Sequence, residues 1–287
     1  MFIYIVYSEG AIIVLKNLSI LLIIVLCGII LVFSYTSWKE KISTAGMPAQ
    51  TTAPAVQTDE AAEQNDETDE TAEQPVADGD ETADIDLEAL TAGMDAQVQE
   101  VFFNRRDQGE NVQLLIVGSE AMDSGEPGYG ALLSDALDSA YGGFVETDTL
   151  SFDGTSEEFL LSGPQLATGY DVVLLEPFTL KNNGIVEIEA EQLHVQNILG
   201  EVLSAEGDAV LVLHPPQPIY GAQFYQTQVT ALEEFAGIQG YAYIDHWQQW
   251  PSTEDLTLKE YLTEDSNPNN TGAETWANAL IAYFTGS

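Results

Sequence analysis

Basic residues and cysteines are what this sequence most lacks. Seven Lys and Arg stand against 47 Asp and Glu in 287 residues, a formal net charge of −40. From Glu100 to Ser287 there are 30 carboxylates and only Arg105, Arg106, Lys181 and Lys259 to balance them. A surface this acidic repels phosphate backbones, which excludes nucleic-acid binding by the usual electrostatic route. Anionic lipid is repelled for the same reason. Such a surface suits contact with concentrated salt, where screening over a few ångströms removes self-repulsion. The single cysteine, Cys27, sits in an apolar run, so the rest of the chain has neither disulfides nor thiolate metal sites. Three scattered histidines form no recognisable metal-ligand set, and no motif asks for a cofactor.

Long apolar runs are also scarce. The longest, Ile20–Phe33 (ILLIIVLCGIILVF), extends to Leu18 and Tyr35 and approaches the lower limit of the roughly 17–25 residues that span a bilayer. A cleaved signal peptide is the rival reading, but SYTSWKEK after Phe33 offers no small-x-small cleavage site. Residues 1–44 are therefore expected to form a membrane anchor, spanning at about 18–35. Lys39 and Lys41 outnumber Lys16 across the span, which alone would place the C-terminal side in the cytoplasm. Large domains translocate largely regardless of so small a bias, and the acidic surface favours an extracytoplasmic domain. Residues 45–84 are Ala, Thr, Gln, Glu, Asp and Pro with few large apolar side chains; they read as a self-repelling tether.

Residues 85–287 alternate between two periods. DIDLEALTAGMDAQVQEVFF predicts a lead-in helix over about 85–103. VQLLIV (112–117) is a continuous apolar run, the mark of a strand covered on both faces. GALLSDALDSAY has a helical apolar face, FVETDTLSF reads as a second strand, and Thr155 to Glu158 has the capping-box pattern. DVVLLEPF is a third strand, EIEAEQLHVQNILGEVLSA a long amphipathic helix, AVLVLHPP a fourth strand and QTQVTALEEFAG a helix. YAYID is the fifth strand. A second capping box at Thr271 and Glu274 opens a last helix with Trp276, Leu280 and Phe284 four apart. Strands alternating with helices predict an α/β protein: a three-layer α/β/α, doubly wound, five-stranded parallel sheet.

Ligands in such sheets bind beyond the carboxyl ends of the strands, so the residues just after each strand carry the chemistry. They are Gly118, Ser119 and Glu120; Gly154; Lys181, Asn182 and Asn183; His214; Asp245 and His246; and the loop EDSNPNNTG before the last helix. This arrangement resembles the SGNH (GDSL-type) hydrolase superfamily over about 112–285. VGSEAMDSG stands at that family's Gly-Asp-Ser-Leu block, FDGTS at its oxyanion glycine and LLEPFTLKNNG at its oxyanion asparagine. EDSNPNNTG stands at its Asp-x-x-His block. The resemblance implies a flavodoxin-like fold and ester hydrolysis.

The chemistry departs from the pattern at three places, one of them the oxyanion asparagine, where Leu180 stands near the expected position and Asn182 and Asn183 come slightly later. The nucleophile position, two residues after the glycine, holds Glu120, with Ser119 one residue early. The base position before Pro-Asn holds Asn267, whose amide cannot take a proton at neutral pH. The expected catalytic set is therefore Ser119, with His246 (or His214) as base and Asp265 to orient it; Gly154, Asn182 and Asn183 would stabilise an oxyanion. Each residue also has a plainer role open to it: a turn hydroxyl for Ser119, a loop carboxylate for Asp265, a hydrogen-bonded loop residue for each histidine. His194, mid-helix, reads as structural, and Glu120 as a solvated side chain. Trp247, Trp250, Tyr220, Phe224 and Tyr225 cluster in the loops after strands four and five, where they either pack together or stack on sugar faces. Two functions follow. One is a membrane-anchored extracytoplasmic hydrolase acting on an acyl ester of an envelope glycan or lipid. The other is an inactive member of the fold, kept as an envelope binding or scaffold module.

Overall fold

The computed structural model describes residues 85–286; the anchor expected at 1–44 and the tether at 45–84 lie outside the described residues. Among the described residues no helix is long and apolar enough to cross a membrane.

Two short helices lead in, α1 (Leu87–Thr91) and α2 (Ala96–Gln108). One continuous helix was expected here. The break falls at Asp95, whose N–H and carboxylate both bond the Tyr283 hydroxyl, at 3.1 and 2.9 Å, and start the second helix afresh. Then strands and helices alternate: β1 (Val112–Ser119), α3 (Tyr129–Tyr141), β2 (Val145–Phe152), α4 (Ser156–Leu161), β3 (Val172–Leu175), α5 (Thr179–Asn182) and α6 (Ile188–Leu203). β4 (Val210–Leu213), α7 (Gln223–Gln239), β5 (Ala242–Tyr243) and α8 (Asn270–Thr285) complete the domain. Single 3-10 turns follow β1 (Glu120–Asp123) and β5 (His246–Gln249), and another covers Leu256–Tyr261.

All five strands are parallel, in the order β2-β1-β3-β4-β5. The apolar runs explain the central strands: with helices on both faces, every residue of β3 is buried. Alternate residues of β1 feed two separate cores. Leu114 and Ile116 pack with Val98, Phe102, Leu137, Trp276 and Phe284, from α2, α3 and α8. Leu115 and Val117 pack with Phe159, Val195, Ile198, Leu232 and Phe235, from α4, α6 and α7. Each such fully buried side chain contributes roughly 1.5–3 kcal/mol.

Helix starts follow local capping. The Thr155–Glu158 box forms with both of its hydrogen bonds. The Thr271–Glu274 box does not. Asn269 caps α8 instead, its side chain accepting the Gly272 N–H at 3.1 Å, so the helix begins ahead of Thr271. Gly272 is required there: a Cβ would lie 2.3 Å from the Tyr261 carbonyl oxygen. This close approach seats the 262–269 loop against the carboxyl end of the sheet.

Candidate functional site

Residues that end β1 and follow β3 and β4 meet in a buried layer. Ser119, 3 % exposed, closes β1. Its N–H donates to the Glu176 carboxylate at 2.7 Å, and its hydroxyl stands near enough to the same group to favour the ionised form. Glu176 directly follows β3 and is wholly buried; burial pushes its pKa up, against the pull of these hydrogen bonds. Gly118 makes room for this contact, since a Cβ would lie 2.8 Å from the Tyr129 hydroxyl and 3.3 Å from Glu176 Cβ. Tyr129 itself is fully buried and its pKa is driven well up, first by burial and then by Glu176.

The histidines sit on the other side. His246 follows β5 and is fully buried, stacked on Trp276 at 4.6 Å and 11°. Trp250 Nε1 donates to its Nδ1 at 3.0 Å, so Nε2 carries the proton and donates to the Pro215 carbonyl at 2.7 Å. Both nitrogens are thereby used. Burial, with His214 close by, drives its pKa well down. His214, after β4, meets Tyr129, Trp276 and His246 edge-on at 5.7–5.9 Å. Its Nδ1 lies 3.3 Å from both the Trp276 N–H and the Pro215 carbonyl, so either tautomer finds a partner. Its Nε2 finds none among the described residues. Burial pushes the pKa of His214 down to about 3.

These positions set the serine apart from the His246 imidazole. β3 and β4 intervene between β1 and β5, so Ser119 and the β5 end lie three strand spacings apart, roughly 14 Å. No hydrogen bond joins Ser119 to either histidine. Asp265 does not orient His246. It is exposed in its loop, and the imidazole's partners are Trp250 and Pro215. Burial acts on every one of these groups in the same sense, raising the Glu176 carboxyl and the Tyr129 phenol and lowering the two imidazoles. A general base at neutral pH requires the reverse, an imidazole near 7 within reach of the hydroxyl.

The oxyanion candidates divide likewise. Asn182 is fully buried and saturated. Its Oδ1 accepts from the Ser156 N–H at 2.9 Å and the Ser156 hydroxyl at 3.2 Å. Its Nδ2 donates to Glu191 at 2.7 Å and to the Pro177 carbonyl at 3.3 Å. Thr179 donates to the other Glu191 oxygen at 2.6 Å, and Ser156 meets His194 Nδ1 at 2.8 Å. The network ties α4, α5 and α6 together and gives His194 the structural role expected of it. Burial raises the Glu191 pKa to about 7. Asn183 is exposed at the end of α5. Gly154 is half-buried, with Phe152 and Glu158 close enough that a Cβ would lie 2.6 and 3.0 Å from them.

Over the mouth of β1 and β2 stands an ion triad. Lys181 Nζ lies 2.6 Å from Glu120 and 2.8 Å from Asp153, drawing Glu120 into a surface pairing. Glu176, Glu191 and Tyr129 went unmarked in the sequence reading. A lone carboxylate closing the apolar run VVLLE was the available signal for Glu176.

The aromatic cluster resolves into two parts. Trp250 and Tyr225 are buried, and Trp247 donates its indole N–H to the Pro216 carbonyl at 2.7 Å. Tyr220 and Phe224 face outward, 36 % and 87 % exposed. Among the described residues no group of His, Cys, Asp and Glu is arranged to hold a metal ion.

No family model matches the chain, and no curated protein is significantly similar to it. Solved structures do resemble it. A variant of an acetyl-xylooligosaccharide esterase from Geobacillus stearothermophilus superposes with a TM-score of 0.50 at 13% identity, over 60% of this chain and 94% of that one. A lipase from a goat rumen metagenome gives 0.45 at 16%, over 60% and 97%. An α/β hydrolase from the metagenome of Lake Arreo, Spain, gives 0.49 at 14%, over 60% and 94%. The domain thus shares its α/β architecture with the solved esterase structure.

Proposed function

We propose that the chain is a membrane-tethered, extracytoplasmic binding module for acylated cell-envelope glycan, built on the fold of an ester hydrolase but without serine–histidine chemistry. The observation that carries this reading is the state of His246: fully buried, neutral, and with both nitrogens committed to Trp250 and Pro215. Ser119 meets a protonation-prone carboxyl group in place of an imidazole, and the family's base position holds Asn267. The tether rests on the Ile20–Phe33 run and the acidic segment that follows it. The glycan rests on Tyr220 and Phe224, exposed rings at the ligand-binding edge of the sheet.

An ester hydrolase is the second reading. Ser119, buried at the end of the first strand beside the Glu176 carboxyl group, favours it, as does the fold shared with a solved acetyl-xylooligosaccharide esterase. Incubating the full chain with acetylated xylan and with p-nitrophenyl acetate separates the two. Retention on the polymer without acetate release supports the binding module. Acetate release that disappears in Ser119→Ala would replace it with the hydrolase.

A further inference from the structure

Four basic residues serve the whole folded region, and three are neutralised by carboxylates. Arg105 pairs with Glu110, Asp171 and Glu206, Arg106 with Asp107, and Lys181 with Glu120 and Asp153. Lys259 has no carboxylate within ion-pair distance among the described residues. In a region with 33 acidic side chains this is an anomaly. Its ammonium instead stands over the Tyr220 ring, 4.7 Å from the centroid.

Both residues line a groove of about 470 Å³, within the roughly 300–1,000 Å³ of small-ligand sites. Leu262, Thr263, Glu264 and Ser266 line its other side. The groove is firmly built. Gln217, fully buried, donates to the Ser266 carbonyl at 3.1 Å, and Asn269 donates to the Glu260 carbonyl at 2.8 Å. It lies beside the loop at the Asp-x-x-His position, where ligands of such sheets bind.

We infer that this groove binds a short glycan bearing a carboxylate, a uronic-acid-type pyranose, with its carboxylate on Lys259 and its ring against Tyr220 and Leu262. This deepens, and rests on, the reading of the domain as a glycan-binding module. The pairing of groups selects the ligand. An uncommitted ammonium asks for an anion, an aromatic edge and an apolar side chain ask for a sugar face, and Thr263, Glu264 and Ser266 offer partners for ring hydroxyls. The surrounding carboxylates do not forbid it. At physiological salt, charges beyond about 8 Å are largely screened, whereas a direct ammonium–carboxylate contact is not. They do disfavour long polyanions, which is why the ligand is short.

The test is calorimetric titration of the full chain with trigalacturonate and with its carboxyl-reduced counterpart, galactotriose. The acidic trisaccharide should bind at least tenfold more tightly. Lys259→Gln should bring it down to the level of the neutral sugar, Tyr220→Ala should weaken both, and Arg106→Gln should change neither. Equal affinities, an unaffected Lys259→Gln protein, or no binding of trigalacturonate overturns the inference. Retention on acetylated xylan is read separately, so loss of this groove assignment leaves the binding-module reading standing. Conversely, acetate release dependent on Ser119 removes that reading while the Lys259 titration still reports on the groove.

Discussion

The carboxyl edge of the sheet has a carboxylate half and an imidazole half, and the two are built in opposite ways. Around β1 and β3, hydrogen bonds join Ser119 to Glu176, and Asn182 and Thr179 to Glu191. Around β4 and β5, His214, His246, Trp250 and Trp276 are joined by ring contacts, with both His246 nitrogens and the His214 Nδ1 meeting an indole or a proline carbonyl. Serine hydrolysis needs one group from each half in contact. Here the serine hydroxyl and the His246 imidazole are held in separate networks.

Breaking the imidazole half should have the largest effect. Trp276→Ala removes a fully buried indole from the centre of the stack and should cost about 3–5 kcal/mol in denaturant unfolding of the full chain. A much smaller loss would mean the stack is not what holds this half. Next, Asn182→Ala strands the Ser156 N–H and a Glu191 oxygen in the interior. It should cost roughly 1–3 kcal/mol by the same measurement.

The halves should also titrate with opposite sign. The folded pKa of His214, about 3, lies below its ordinary 6.5. Its contribution is full above pH 6.5 and is lost as pH falls, by up to about 1.4 kcal/mol per unit. Glu191 behaves in reverse. Its folded value of about 7 exceeds 4.5, so its contribution is full below pH 4.5 and is lost as pH rises to about 7. Unfolding free energies between pH 4 and 8 should therefore show wild type losing ground to His214→Phe on acidification and to Glu191→Gln on alkalinisation. Parallel curves for wild type and both variants would contradict the burial argument. The smallest effect belongs to the surface. Lys181→Ala, across a partly exposed ion triad, should shift stability by only about 0.5 kcal/mol.

The scaffold was legible because its signals are local or periodic. VQLLIV and VVLL announce buried parallel strands, and Thr155 with Glu158 announces a helix start. The strand ends then placed Ser119, His214 and His246 on one edge. Their chemical state was not legible, because it depends on partners far away in sequence. Nothing near His246 reveals that the Pro215 carbonyl, thirty-one positions earlier, accepts its N–H hydrogen bond. Nothing near Asn182 reveals that Ser156 and Glu191 exhaust its amide. Even the start of the last helix turned on a choice between Asn269 and Thr271 that tertiary contacts at Gly272 made.

The separation of the two halves is tested most directly by intact-mass analysis of the full chain after prolonged exposure to a fluorophosphonate. With Ser119 hydrogen-bonded to Glu176 and no imidazole to activate it, the mass should remain that of the unmodified protein. A stoichiometric adduct that vanishes in Ser119→Ala would mean that the hydroxyl is activated after all, and that the domain is an enzyme.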